Sequence, residues 1–414
     1  MRMSRAQLTV VAVIVVLAAL AVGLLLRDRS VSTAEPSASP TSSAARTAIA
    51  SPSATATSVV ASPGASASPA AAGAIYNDDF GFIVTEPSRA AMRKESSDAR
   101  IAAFTVPLQV AAVSPDGKRV AYWKFDNGVP GDTAQLRMFS TIGNATEETL
   151  MTLPAGQRGG GVAWSSDGAG LLYSTETGNF GVGGDGRNSA TLNLWELAAG
   201  GRRGTIIDSQ TNTGWLYRPV AWDRSANLAA AGLTGEGGAM AFYVTVRINS
   251  DNTFNAQRVD TRRLQDLNGM SMGSIRASSD AKFVLGVEGE SGSIRWWPLA
   301  DFAANKSQAG AGKGGALWRP GTHEIGFKGP SDQFWLGDVD KVGSLGLCCT
   351  AFSGAPAGSV VVAFRTDGAA VLLAVRGTAS EYTLVRLGTD PKSTSGDRVT
   401  FKDAGTLVAS VRLR

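Results

Sequence analysis

Between Val113 and Gly405 one pattern recurs seven times: a small or β-branched run ends at an aromatic or apolar residue, a short turn follows, and a second apolar run begins. The turns read Val113-Ser-Pro-Asp-Gly117, Trp164-Ser-Ser-Asp-Gly168, Trp222-Asp-Arg-Ser-Ala226, Ala277-Ser-Ser-Asp-Ala281, Trp318-Arg-Pro-Gly-Thr322, Phe364-Arg-Thr-Asp-Gly368 and Phe401-Lys-Asp-Ala-Gly405. Measured at the fourth turn position, the steps are 51, 58, 55, 41, 46 and 37 residues. A repeat of that size is one supersecondary unit that cannot bury its apolar face alone, and it matches a four-stranded propeller blade.

The turn residues have physical reasons to be there. Asp and Ser accept hydrogen bonds from nearby backbone N–H groups, Pro presets φ, and Gly takes positive φ without a steric penalty. Gly is 49 of 414 residues, well above the usual ~7%, which suits a turn-rich β fold better than a helical bundle. Short apolar strands follow the turns, as in 119–123, 171–173, 283–285 and 371–375. Third strands are expected at 192–197, 293–299, 334–336 and 382–387, with alternation suited to a sheet packed between two others.

After the Phe401 turn only Thr406 to Leu413 remains, enough for a second strand. Two unassigned strands, Phe80 to Thr85 and Arg100 to Val106, precede the first repeat. Joining the ends gives a last blade with two strands from each terminus, which closes the ring and leaves no cyclic gap to open. The expected fold is therefore all-β, a seven-bladed β-propeller over 75–414, with six blades as the alternative.

These repeats resemble the extracytoplasmic TolB-like propellers, also seen at the N-terminus of prolyl-oligopeptidase-type peptidases, whose blades carry a Ser-Pro-Asp-Gly turn between first and second strands. The match is close at the Val113, Trp164 and Phe364 repeats. True WD repeats fit less well, because the Trp222-Asp223 pair ends a first strand where that family has it end a third. The resemblance implies a binding or scaffolding domain and carries over no catalytic residue.

Ahead of the repeats stand two segments of different character. Leu8 to Leu26 is 19 residues without a charge, and as a helix it covers roughly 28 Å, close to the ~30 Å hydrocarbon core of a bilayer. A cleaved signal would end on small residues, whereas Arg27, Asp28 and Arg29 follow directly, so residues 1–29 are expected to be a cytoplasmic tip and a retained transmembrane helix over 8–26. In residues 30–74, 39 of 45 positions are Ser, Ala, Pro, Thr or Gly. Such a segment behaves as a disordered linker with a reach of about 35 to 40 Å, fit to hold an extracytoplasmic domain off a membrane.

Charge excludes one class of partner. Of the +4 net charge, +3 sits in residues 1–29 (Arg2, Arg5, Arg27 and Arg29 against Asp28), and Glu35 and Arg46 cancel in the linker. The remaining chain has 34 bases and 33 acids, without the excess that drives phosphate-backbone binding, so nucleic acid is not expected as a partner.

Chemical motifs fail on context. Gly269-Met-Ser-Met-Gly273 has the letters of a nucleophile elbow, but no helical hydrolase domain follows, and His323 is the single His of the chain. Gly181-Val-Gly-Gly-Asp-Gly186 spells a dinucleotide fingerprint between two strands of a blade, where no helix N-terminus is available; a Ca²⁺ loop around Asp185 is a lesser possibility. Gly312-Lys313-Gly314 is too short for a phosphate loop. The adjacent Cys348 and Cys349 lie about 3.8 Å apart at Cα, below the usual disulfide range, and read as thiols ahead of a vicinal disulfide. With one His and two Cys, a His- or Cys-based metal site is not expected, and no cofactor is called for.

Binding residues are sought in the loops. Connections between blades and between second and third strands emerge on one face, which collects 128–133, 178–189, 209–218 and 342–356. There Trp215, Tyr217 and Arg218 combine residue types enriched at binding surfaces, while Trp164, Trp222, Trp318 and Trp335 fit core positions. The expected function is a membrane-tethered, monomeric, non-enzymatic module that binds a protein, peptide or envelope glycan. The alternative is a propeller hydrolase or lactonase with a metal in its channel, which needs carboxylates on inner strands that are nearly free of them.

Overall fold

Seven antiparallel sheets of four strands each make up the structure, a computed structural model. It describes residues 79–414 except 87–88, 96–99, 105–110, 126–132, 144–145, 179–187, 236–239, 262–274, 289–292, 303–305, 308–314, 330–332, 342–349, 353, 357, 377–380, 390–396 and 403–406. From the inner strand outwards, blade 1 is Ala111–Val113, Arg119–Phe125, Ala134–Ser140 and Glu147–Thr152. Blade 2 is Gln157–Trp164, Gly170–Thr177, Ser189–Glu196 and Arg203–Gln210. Blade 3 is Leu216–Asp223, Leu228–Thr234, Met240–Ile248 and Phe254–Asp260. Blade 4 is Arg276–Ala277, Phe283–Val287, Ile294–Pro298 and Lys306–Ser307. Blade 5 is Leu317–Trp318, Glu324–Lys328, Phe334–Asp338 and Thr350–Ala351. Blade 6 is Val360–Phe364, Ala370–Arg376, Glu381–Gly388 and Asp397–Lys402. Blade 7 takes its inner strand, Leu407–Arg412, from the C-terminus and Phe80–Glu86, Arg89–Lys94 and Arg100–Phe104 from the N-terminus.

Inner strands of consecutive blades touch all the way round, and the blade 7 strand returns to that of blade 1. The all-β, seven-bladed expectation therefore holds, and the ring closes on a blade shared by the two ends. Two details of that closure differ from expectation. The shared blade is built one strand to three, because Leu407–Arg412 pairs directly with the first N-terminal strand, Phe80 opposite Arg412 and Ile83 opposite Ala409. Arg89–Lys94 supplies the extra strand: its small Ala90 and Ala91 are fully buried, where an Ala- and Arg-rich string has little β signature. Consequently Phe401 does not end an inner strand. It sits opposite Tyr382 on the outer strand of blade 6, and the seventh inner hairpin is the gap between the chain ends.

The other six turns join inner to second strands. In Ser114-Pro-Asp-Gly117 the Ser114 hydroxyl donates to Asp116 at 2.6 Å and accepts from the Arg119 N–H at 2.9 Å, while Asp116 accepts from the Lys118 N–H at 3.1 Å. The turns at Ser165 and Ser278 repeat this pattern. Gly117 has φ 75°, the left-handed value that explains its place there.

Between blades the core is aromatic against small. Trp222 is buried against Gly170 of the preceding blade, where a Cβ would lie 2.4 Å from the ring, and Phe364 meets Gly326 in the same way at 2.5 Å. Trp164, Trp222 and Trp318 are buried and Trp335 is half-buried, as expected for core positions. Among the described residues no helix is long and apolar enough to cross a membrane; the span over 8–26 and the linker over 30–74 lie outside the described residues.

Closure by one strand gives a direct prediction. A chain ending before Leu407 loses the buried Val411 and a ladder of backbone hydrogen bonds, and should lose at least about 5 kcal/mol of stability. Thermal melting should broaden or fall by well over ten degrees, and a synthetic peptide of residues 405–414 should restore it. A truncated chain melting as the full one does would show that the ring does not depend on this strand.

Candidate functional site: the central channel and its two faces

Seven inner strands surround a central cavity of 460 Å³ that opens towards the turn face. Ala, Val, Ser and Pro dominate its wall, with the aromatic edges of Trp164, Trp318 and Phe364. Among the lining residues one side chain is charged, Arg276 of blade 4, and none is Asp, Glu or His. Carboxylates and imidazoles are the usual side-chain ligands of divalent cations and the usual general acids and bases, and the described lining residues include none. Among the described residues no group of three or more His, Cys, Asp or Glu could hold a metal ion.

On the turn face, neighbouring blades are tied through their turns. The Arg119 guanidinium donates to the Gly168 carbonyl at 2.7 Å, Arg224 pairs with Asp167 at 2.9 Å and Lys282 with Asp223 at 2.5 Å. Arg319 donates to the Gly368 carbonyl at 2.8 Å, and the Arg412 N–H to the Gly117 carbonyl at 2.8 Å. His323 closes another step: its Nε2 lies 2.9 Å from Asp280 of blade 4, and its Nδ1 lies 2.6 Å from Asp340. A surface hollow beside it is also lined by Glu324 and Asp338. Burial by itself would push the imidazole pKa down, but hydrogen bonds and attraction from Asp280 and Asp340 outweigh it and hold it above the ordinary histidine value. Burial likewise would raise Asp280, yet the Ser278 hydroxyl, His323 and the Lys282 N–H hold its carboxyl below the usual range.

On the opposite face, the structure places the three residues singled out from sequence in different surroundings. Only Trp215 is in the loop; Tyr217 and Arg218 lie on the inner strand of blade 3, because the apolar alternation begins at Leu216. Trp215 is half-buried, edge-on to Phe242 with ring centroids 5.5 Å apart. Tyr217 is fully buried, and its hydroxyl donates to Asp208 at 2.7 Å, with Arg258 on the same carboxylate. Burial, helped by the Asp208 charge, pushes the phenol pKa up. Arg218 pairs with Glu176, a carboxylate only 1% exposed whose other oxygen is held by Arg158 at 2.7 Å. The Tyr217–Asp208 and Arg218–Glu176 contacts link blade 3 to blade 2.

Several other candidates named from the sequence lie outside the described residues: Gly269 to Gly273, Gly181 to Gly186 with Asp185, Gly312 to Gly314, Cys348 and Cys349, and most of the loops 128–133, 178–189 and 342–356. Arg276 was not singled out from sequence, although a signal existed. At its position the other hairpins carry Ala112, Ala163, Ala221, Leu317 and Ala363.

Fold and wall together define a seven-bladed β-propeller whose described channel lining carries one charged side chain. Among solved structures it is similar to a functionally unknown protein from Desulfotomaculum acetoxidans, at 11% identity and a TM-score of 0.51, over 81% of this chain and 100% of that one. It is also similar to a candidate 6-phosphogluconolactonase from Bacteroides fragilis, at 14% identity and 0.49, over 84% and 100%. TolB from Acinetobacter baumannii matches at 13% identity and 0.40, over 81% and 67%. At 11% identity the first of these likenesses speaks to the fold alone. No family model matches the sequence, and no curated protein matches it.

Two predictions follow from these contacts. Arg218→Ala should cost ~1–3 kcal/mol, since buried Glu176 keeps one cation of two, and Trp215→Ala, which gives up the edge-on contact with Phe242, should cost ~1–2 kcal/mol; denaturant melts of both variants check this. Because the folded His323 pKa is raised, its stabilisation is full below the ordinary value of about 6.5 and is lost as pH rises through the folded value. The melting temperature should therefore fall more steeply above about pH 6.5 in the wild type than in His323→Gln, by roughly 2 °C, and equal slopes would clear the histidine.

Proposed function

We propose that this chain is a non-enzymatic binding module, a propeller held outside the membrane by its N-terminal helix and linker and presenting its faces to a protein, peptide or envelope glycan. The observation that carries this reading is the channel wall. A hydrolase or lactonase working there needs carboxylates, an imidazole or a held divalent cation, and the described lining residues supply one guanidinium and otherwise hydroxyl and apolar groups. On the loop face Trp215 is half-buried, with its ring packed edge-on to Phe242 against the core cluster of blades 2 and 3. Rigid support under a half-exposed aromatic is what a binding surface requires.

Two measurements test the proposal. Purified protein incubated with phenyl acetate and with a δ-lactone, with and without Mg²⁺, Ca²⁺ or Zn²⁺, should give rates equal to those of heat-denatured protein. Saturable turnover would make it an enzyme. In intact cells, external protease should release a compact fragment beginning near residue 75, and cross-linked partners captured by the wild type should be depleted in Trp215→Ala. No release would turn the domain inward, and undiminished capture would remove Trp215 from the interface.

A further inference from the structure

The inner strands obey a local rule that one blade breaks. At the last two positions before the turn, five hairpins place a small or apolar residue and then a large one: Ala112-Val113, Ala163-Trp164, Ala221-Trp222, Leu317-Trp318 and Ala363-Phe364. Blade 4 reverses the sizes with Arg276-Ala277. A long cation thus stands where the ring otherwise keeps small side chains against the channel, and Arg276 lines the cavity from that position.

Among the described residues, nothing on the wall answers this charge. The lining residues contain no carboxylate, and the turn-face acids are engaged elsewhere: Asp116 with the Ser114 hydroxyl and the Lys118 N–H, Asp167 with Arg224, Asp223 with Lys282, Asp280 with His323 and Asp367 with Arg365. Inner-strand acceptors are partly occupied too, since the indole N–H groups of Trp164 and Trp318 donate to the carbonyls of Ala112 and Arg276. Ser410 of blade 7 and Thr366, in the blade 6 turn, also line the cavity, but their hydroxyl oxygens are buried and do not face its open volume, so Arg276 is the group there that offers a ligand strong hydrogen-bond donors. The Arg276 side chain is open to the water of the channel and at the same time ringed by protein. The surrounding wall pulls its pKa below the ordinary value through desolvation, while the side chain keeps contact with channel water and stays cationic.

We infer that the turn-face half of the channel is an oxyanion site, in which Arg276 receives the carboxylate or phosphate of a small ligand whose apolar body packs on the Ala, Trp and Phe wall. A guanidinium pairs with either group in the same two-pronged way, and 460 Å³ is within the usual range for a small-molecule site. The inference rests on the binding-module reading and supplies it with a ligand class.

The test uses the full chain in mild detergent, titrated with benzoate, phenyl phosphate and neutral benzamide. Calorimetry reads affinity, and the intrinsic fluorescence of Trp164 and Trp318 reports occupancy of the channel. At least one anion should bind saturably and at least tenfold tighter than benzamide. Arg276→Gln should weaken it at least tenfold with an unchanged melting temperature, and Arg276→Lys should recover part of the loss. Preference for benzoate would point to a carboxylate ligand, and preference for phenyl phosphate to a phosphorylated one. Absence of binding by both anions, or equal affinity in Arg276→Gln, overturns the site while leaving the binding-module reading in place. Phenol release from phenyl phosphate would overturn that reading instead.

Discussion

One antiparallel pairing, Leu407–Arg412 on Phe80–Glu86, decides whether the other six blades can exist as a ring. Each blade has two faces to cover and can cover only one with the blade before it. The last face is covered when the circle is complete, and the chain has no covalent means of completing it. An N-terminal strand pairing with a C-terminal one replaces an exposed edge and two bare sheet faces by a ladder and two blade interfaces. The register is specific: Phe80 opposes Arg412 and Phe82 opposes Ser410, and a one-residue slip would turn Val411 from its buried place to the opposite face.

Closure by a noncovalent strand puts a premium on whatever keeps neighbouring blades together. Aromatic rings set into glycine gaps, Trp222 on Gly170 and Phe364 on Gly326, supply apolar area and fix blade spacing. Turn-to-turn contacts supply direction. Arg119 to Gly168, Arg224 to Asp167, Lys282 to Asp223 and Arg319 to Gly368 each join one turn to the next. Exposed pairs of this kind are individually worth ~1 kcal/mol or less, so their value lies in number and in fixing the angle between sheets. The buried Glu176, between Arg158 and Arg218, belongs to a different class, because an unpaired carboxylate there would be costly.

Much of this was legible in the sequence because the repeat has a strict physical cause. The Ser-x-Asp-Gly turn needs those residue types, so six hairpins and the blade number could be read from their spacing. The closure was read in outline and missed in detail. Arg89–Lys94 has no β-branched residue and two Ala, so nothing local marked it as a strand, and the Phe401 turn has the right letters with no inner strand before it. Site residues were harder still. Trp215, Tyr217 and Arg218 look alike to a composition argument, but strand alternation carries Tyr217 inward and charge complementarity ties Arg218 to Glu176, a carboxylate 42 residues away in the chain.

A ring of near-identical blades creates a difficulty for function, since a symmetric wall presents the same groups to a ligand from every side and cannot orient it. Specificity must come from departures from the repeat. The pattern of Ala followed by Trp or Phe is structural: the large residue fills the interface with the neighbouring blade and the small one leaves the channel open. Arg276-Ala277 gives up the aromatic filler on blade 4 and places the one charge on the described wall. Ala277 still packs, half-buried, against a cluster that holds Tyr243, Trp297 and Phe302, whose rings stack and meet edge-on. Aromatic packing between blades 3 and 4 thus comes from the second and third strands and the segment after them, and the inner-strand position is not needed as the aromatic filler.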